Sequence, residues 1–175
     1  MPEPASMQRR LLALCAAVSL GSVVVALVLQ HWFGMEPCAW CVVQRMFYVL
    51  VGVFSIAALA LGGVPLASLA AMLVADLSAT LGLASAVFHQ FVAARPGGCG
   101  ITIADRFLMA TSLHEHLPWL MNPTALCDEA NQPLLGVPFA VWSIALFAVL
   151  LMGVGLALVS AVRALAAQPR STDVH

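Results

Sequence analysis

Four stretches of this chain carry almost no charge, and each is long enough to cross a lipid bilayer. No other property limits its fold so severely. Leu11 to Leu29 has no charged residue. As a helix rising 1.5 Å per residue it is about 28 Å long, close to the roughly 30 Å of a hydrocarbon core. The later runs are broken only by Arg45 near one end and by Asp76. Only 9% of residues are charged, against about 25% in an average soluble domain. In lipid the backbone must satisfy its own hydrogen bonds, so apolar runs of this length become helices. The expected fold is therefore an all-α membrane protein, a four-transmembrane-helix bundle forming one membrane domain over residues 1–175. Its spans are expected at about 11–29, 42–63, 65–88 and 136–162, with two loops at about 30–41 and 89–133.

Arg9 and Arg10 precede the first run, as in a twin-arginine signal peptide. The run exceeds the usual 7–15 residues of a signal core, and Gln30-His31-Trp32 offers no small-x-small cleavage site. A retained first helix is expected. Arginine placement sets the orientation. Arg9, Arg10, Arg163 and Arg170 flank the outer ends of the bundle sequence. The second loop sets Arg95 and Arg106 against Asp105, Glu115, Asp128 and Glu129. Both termini are thus expected in the cytoplasm and both loops outside. With a net charge of −1 and no lysine, no basic stripe exists to bind nucleic acid.

Of five cysteines, Cys15 lies inside an apolar run and reads as a buried, inert core thiol. The other four, Cys38, Cys41, Cys99 and Cys127, fall in the two loops, where charge placement predicts an oxidising compartment that permits disulfides. Cys38-Ala39-Trp40-Cys41 is followed by Val42-Val43-Gln44-Arg45. On a helix Cys38, Cys41 and Arg45 share one stripe, and a thiol beside a guanidinium at a helix start favours thiolate. A disulfide closing so short a loop removes little chain entropy, so this pair suits exchange chemistry better than stapling. Cys99 and Cys127 could be a structural disulfide or a second exchanging pair. A zinc site usually takes two closely spaced pairs, and the second pair here is far apart, so no metal is expected. A lipid-soluble two-electron acceptor such as a quinone is the natural sink for electrons released at a membrane surface. Arg45 would stabilise the oxyanion that develops on it. A structural alternative makes Arg45 an interfacial anchor on lipid phosphate.

Pro37-Cys38-x-x-Cys41-x-x-Gln44-Arg45 after a first span, four spans in all, Cys99-Gly100, and Cys127 followed by Leu135-Gly136-Val137-Pro138 and Trp142 resemble the bacterial DsbB family of disulfide oxidoreductases. The resemblance covers essentially the whole chain. It implies an inner-membrane enzyme that reoxidises a periplasmic DsbA-like thioredoxin-fold protein and passes electrons to the quinone pool, ubiquinone or menaquinone. By the same resemblance Cys99 is the residue attacked by the reduced partner, and Cys127 exchanges with Cys38. Cys41 meets the quinone beside Arg45, Gln44 and His89. One departure concerns His89, which sits beside Gln90, while Ala86 stands where many members carry a histidine. A vitamin-K-reductase-like enzyme would place its Cys-x-x-Cys after the loop pair, and here it comes first. A non-enzymatic protein using the cysteines for metal binding or loop stapling is the remaining alternative.

Three further expectations concern single features. Asp76, near mid-membrane, is expected protonated and bonded to a neighbouring helix. Trp32, Trp40, Trp119 and Trp142 are expected as interfacial aromatics, with Trp40 also within reach of the quinone. Ile103, Phe107, Ala110, Leu113 and Leu117 recur at helical spacing, which fits a short amphipathic helix on the membrane surface as well as an irregular loop.

Overall fold

The computed structural model describes residues 4–95 and 102–167. Its elements in order are helix α1 (Pro4–Phe33), α2 (Ala39–Ala60), α3 (Pro65–Phe88), α4 (Ile103–Thr111), α5 (Leu113–His116), α6 (Pro118–Met121) and α7 (Cys127–Ala130). Two short strands follow, β1 (Pro133–Leu134) and β2 (Val137–Pro138), and then α8 (Phe139–Ala166). Four helices are long and apolar enough to cross a membrane: α1, α2, α3 and α8. Each packs on its chain neighbours, and α8 closes the ring against α1. The helix that carries the Cys-x-x-Cys motif is the most enclosed, with 50% of its apolar window buried against 28% for α1 and α8.

Lipid tails give helices no hydrophobic reason to associate, so membrane bundles rely on close packing of small residues. On α3 the inward face is Ala71, Ala75, Ala79, Gly82 and Ala86 at helical spacing. Gly82 leaves room for the Phe147 ring of α8, which would overlap any added Cβ. Phe147 in turn stacks on Tyr48 of α2 at 4.0 Å and 11°. Cys15 is buried in the same core, its sulfur against Gly153 of α8. The large apolar side chains left exposed, such as Leu14, Val24, Leu73, Leu77, Val149 and Leu156, form the surface a lipid environment covers.

The span limits differ from those expected in ways that matter for the site. The α1 helix continues through His31 to Phe33, and Gly34, at φ +67°, then turns the chain. Only glycine adopts that conformation at no steric cost. The α2 helix begins at Ala39, so the motif opens the helix rather than preceding it, and it ends at Ala60 rather than 63. Helix α3 runs Pro65–Phe88, with Pro65 in its first turn. It does not stop at a loop, however: His89–Ala93 continue it as a π-helical turn. The last span is Phe139–Ala166 instead of 136–162, because residues 133–138 form a small hairpin with Leu135 and Gly136 at its tip, both at positive φ.

The second loop lies back over the first. The backbone N–H groups of Thr124 and Ala125 donate to the Pro37 carbonyl at 2.9 and 3.2 Å. His31 Nε2 is 3.2 Å from the Trp119 carbonyl. A short helix does form at Ile103–Thr111, opened by a capping box between Thr102 and Asp105. The face it packs inward is Ala104 and Leu108. Ile103, Phe107, Ala110 and Leu117 of the expected stripe are exposed, and Leu113 is half-buried. The apolar stripe therefore faces away from the bundle, as in a helix that lies on lipid.

Asp76 Oδ1 is buried with no hydrogen-bond partner among the described residues. It faces α8 at Gly155, whose missing side chain leaves it nothing to bond. The expected hydrogen bond across helices is not made by that oxygen.

Candidate functional site

The site is built where α2 begins. Cys38 is its N-cap, in extended conformation, and its sulfur accepts from the Cys41 backbone N–H at 3.4 Å. One helical turn brings the two sulfurs to 3.2 Å, as a pair of thiols in contact. Cys38 is completely buried and Cys41 nearly so. The loop-on-loop hydrogen bonds deliver Cys127, at the start of α7, to the other side of Cys38, and the two thiols are hydrogen-bonded. Cys38 is thus the central sulfur of three. Its pKa is pushed well above the ordinary thiol range, first by Cys127, then by Cys41 and by burial. Adjacent thiols share protons and cannot all carry charge.

The end of α3 places His89 in this cluster, where a π-helical turn, His89–Ala93, begins. The ring is fully buried. Its Nε2 is 3.5 Å from Cys38 Sγ and 3.3 Å from the Cys127 carbonyl, and its Nδ1 is 3.5 Å from the Gln44 side-chain amide. His89 is the next residue of the inward stripe of α3 after Gly82 and Ala86, three residues beyond Ala86, and the π-helical turn that begins there is a feature that recurs at functional sites.

On the opposite side of Cys41, α1, α2 and α8 enclose a cavity of about 480 Å³. Cys41, Gln44, Arg45 and Tyr48 line it from one helix face, and its remaining wall is mostly apolar, including Val25, Leu29 and Leu146. Arg45 is only 6% exposed, which rules out the role of an anchor reaching for lipid phosphate. Its Nη1 donates to Gln30 Oε1 at 2.6 Å and to the Leu120 carbonyl at 3.2 Å. Both partners are neutral, so the guanidinium keeps its positive charge for the cavity. An apolar pocket of this size with a few convergent polar groups is the usual form of a small-molecule site.

The structure therefore brings Cys38, Cys41, Gln44, Arg45, His89 and Cys127 together, and divides them. Cys41, Gln44 and Arg45 stand on the cavity; His89 stands behind them with Cys38 and Cys127. Cys99 lies outside the described residues. Trp40 does not line the cavity; its ring packs on Phe88 of α3 at 4.8 Å. Trp142 lines the cavity instead, its indole N–H held by the Leu134 carbonyl at 3.1 Å. Sequence reasoning missed Gln30, Tyr48 and the Leu120 carbonyl. Gln30 was findable as the polar residue closing the first apolar run, and Tyr48, the sole tyrosine, as the residue one turn beyond Gln44. A backbone carbonyl leaves no trace in a sequence.

Comparison with known proteins agrees with this architecture. The family described as "Disulfide bond formation protein DsbB" matches residues 8–158. A protein from Burkholderia thailandensis named "Disulfide bond formation protein B" is 32% identical over 153 residues, covering 86% of this chain and 89% of its own. Proteins of the same name from Ralstonia nicotianae and Cupriavidus necator are 33% and 35% identical, over 78% and 75% of this chain and 84% and 80% of theirs. With its four apolar spans and its buried thiol cluster, this multi-pass membrane chain belongs to the DsbB family of disulfide bond formation proteins.

Proposed function

We propose that the protein reoxidises a periplasmic thioredoxin-fold dithiol protein of the DsbA kind and passes the electrons to a membrane quinone. One observation carries the reading: Cys38 touches Cys127 on one side and Cys41 on the other, and Cys41 lines the apolar cavity that Arg45 also faces. That is a continuous path for exchange from a loop to a lipid-soluble substrate.

In the oxidised protein the proposed pairs are Cys38–Cys41 and Cys99–Cys127. A partner thiolate attacks Cys99, forming a mixed disulfide and releasing Cys127. The partner's second thiol then resolves the mixed disulfide and releases Cys99, so the partner leaves oxidised. Cys127 attacks Cys38, breaking Cys38–Cys41 and releasing the Cys41 sulfur into the cavity. Cys99 attacks Cys127, which restores the loop disulfide and frees Cys38. Each exchange breaks one S–S bond, forms one, and needs only an attacking thiolate and access. A quinone fits the cavity in size and polarity, and it supplies an acceptor for two electrons and two protons. Cys38 and Cys41 give up those electrons and re-form their disulfide. Arg45 holds a positive charge where negative charge develops on the acceptor oxygen, a form of stabilisation that acts most strongly where water is excluded. Gln44 offers an amide beside it. The net reaction converts one partner dithiol and one quinone into one partner disulfide and one quinol.

The compartment follows from the same reading. The cysteine-bearing loops face the periplasm, both termini face the cytoplasm, and the bundle sits in the bacterial inner membrane, supported by the arginine placement. The test mixes purified protein in detergent, a reduced thioredoxin-fold partner and a short-chain quinone, and follows quinone absorbance. Partner-dependent loss of quinone supports the proposal, and its absence defeats it.

A further inference from the structure

The same cluster has a second property that the relay does not use. Cys38, Cys41 and His89 place their ligand atoms within 4.8 Å of one another, all buried; Cys127, hydrogen-bonded to Cys38 but outside that group, is a third thiol that closes in to complete a set of four donors. The donor set is three sulfurs and one imidazole, a set that holds zinc tetrahedrally in structural sites. The spacing of the second cysteine pair argued against this in sequence; the fold replaces the missing near neighbour with His89, on the inward face of α3.

The geometry can be compared with what zinc requires. Bonds of about 2.3 Å to sulfur and about 2.0–2.1 Å to nitrogen, at tetrahedral angles, put a sulfur and a nitrogen about 3.6 Å apart and two sulfurs about 3.8 Å apart. The observed distance from Cys38 Sγ to His89 Nε2 is 3.5 Å. The two sulfurs of the motif, at 3.2 Å, need to part by about half an ångström, within the reach of a rotamer adjustment at the N-cap. Metal-bound histidine almost always holds its second ring nitrogen against a polar group. Gln44 provides one, 3.5 Å from Nδ1. With its amide turned to present oxygen, it accepts the Nδ1 hydrogen and leaves the Nε2 lone pair facing the sulfurs.

We infer that the fully reduced protein binds one thiophilic divalent cation, with Zn²⁺ as the probe, through Cys38, Cys41, His89 and Cys127. The oxidised protein does not bind it. Coordination replaces the thiol protons, which are released to solvent, and involves no electron transfer. Disulfide formation consumes the ligands, so the site exists only in the electron-loaded state. An occupied site withholds Cys38 and Cys41 from exchange, which makes a thiophilic cation an inhibitor of whatever chemistry this pair performs.

The test needs neither partner nor quinone, so its outcome is independent of the proposed reaction. The full chain in detergent, reduced and freed of reductant under anaerobic conditions, is titrated with Zn²⁺ against a chromophoric chelator. The expected result is one equivalent bound, with proton release in weak buffer, and no comparable binding by the same protein after oxidation. His89→Ala should weaken binding at least tenfold while the thiol count stays unchanged. Cys15→Ala and Cys99→Ser should each retain the full equivalent. Equal binding by reduced and oxidised protein, unchanged affinity in His89→Ala, or loss of the site in Cys99→Ser would each overturn the assignment. The reduced–oxidised comparison uses one unmutated chain, so misfolding of a variant cannot produce it.

Discussion

Removing the Arg45 side chain separates the two halves of the proposed relay. Arg45 is buried, and its Nη1 holds Gln30 Oε1 at 2.6 Å and the Leu120 carbonyl at 3.2 Å. Arg45→Ala takes the only side-chain cation out of the described cavity lining. Loss of one preorganised group facing developing negative charge costs about 2.7–4 kcal/mol of transition-state stabilisation, or roughly 10²–10³ in rate. The variant also leaves a buried carbonyl without its donor, at about 1–3 kcal/mol of stability, so folding must be measured alongside. Gln30→Met supplies that control. It removes the 2.6 Å hydrogen bond but keeps the charge, and quinone reduction should fall far less than in Arg45→Ala. The assay has two arms: stopped-flow quinone absorbance after loading the protein with electrons, and gel-shift trapping of the mixed disulfide with the partner. Arg45→Ala should slow the first by two to three orders of magnitude and leave the second within about threefold of wild type. Equal loss in both arms, or an equal effect of Gln30→Met, would refute the reasoning and make Arg45 a folding residue.

Two further predictions concern stability. The folded protein holds the Cys38 proton more tightly than the unfolded chain does, because Cys127 and Cys41 crowd it. Above about pH 8.5, where an ordinary thiol ionises, the unfolded chain releases this proton and the folded chain keeps it. The contribution of Cys38 to the stability of the reduced protein should therefore fall as pH rises, by up to about 1.4 kcal/mol per unit. Thermal melts in detergent from pH 7.5 to 9.5 check this, and Cys38→Ser should flatten the dependence; an equally steep slope in the variant contradicts it. In the core, Gly82→Ala puts a methyl into the ring of Phe147, an overpacking that typically costs about 1–3 kcal/mol. Adding Phe147→Leu should recover part of that loss in the same melts, and a double variant worse than the sum of the singles would show that the ring contact is not the cause.

The four spans were legible because bilayer thickness imposes a length on any apolar run, and nothing in the packing overrides that. Their ends were less so. Phe33 and Ala39 bracket a turn whose position depends on Gly34 adopting positive φ, and a polar residue such as His31 is as acceptable in the last helical turn as in a loop. The cysteines and Arg45 were legible as chemistry, because thiols and a guanidinium on one helical stripe have few bland explanations. Their neighbourhood was not. His89 continues the inward stripe of α3 three residues after Ala86, but which side chain of α2 it meets depends on how the two helices pack, and that has no mark in the sequence. The stripe of α4 was legible, but the face that packs on the bundle was not. Ile103 and Phe107 are more apolar than Ala104, yet lipid outside the bundle accepts them, so hydrophobicity alone does not say which face is buried. Neither the Leu120 carbonyl nor the Pro37 carbonyl, which clamps the second loop over Cys38, has any signature in residue type.

The claim that Cys38 and Cys41 form the pair that meets the quinone is tested most directly without the partner. Fully reduced protein is mixed with one equivalent of a short-chain quinone, quenched with acid, alkylated and mapped by peptide mass spectrometry. The account predicts a Cys38–Cys41 disulfide formed in step with quinol, and no such disulfide or fast quinol formation in Cys41→Ser. Quinone reduced at full rate while Cys38 and Cys41 remain alkylatable thiols would contradict it.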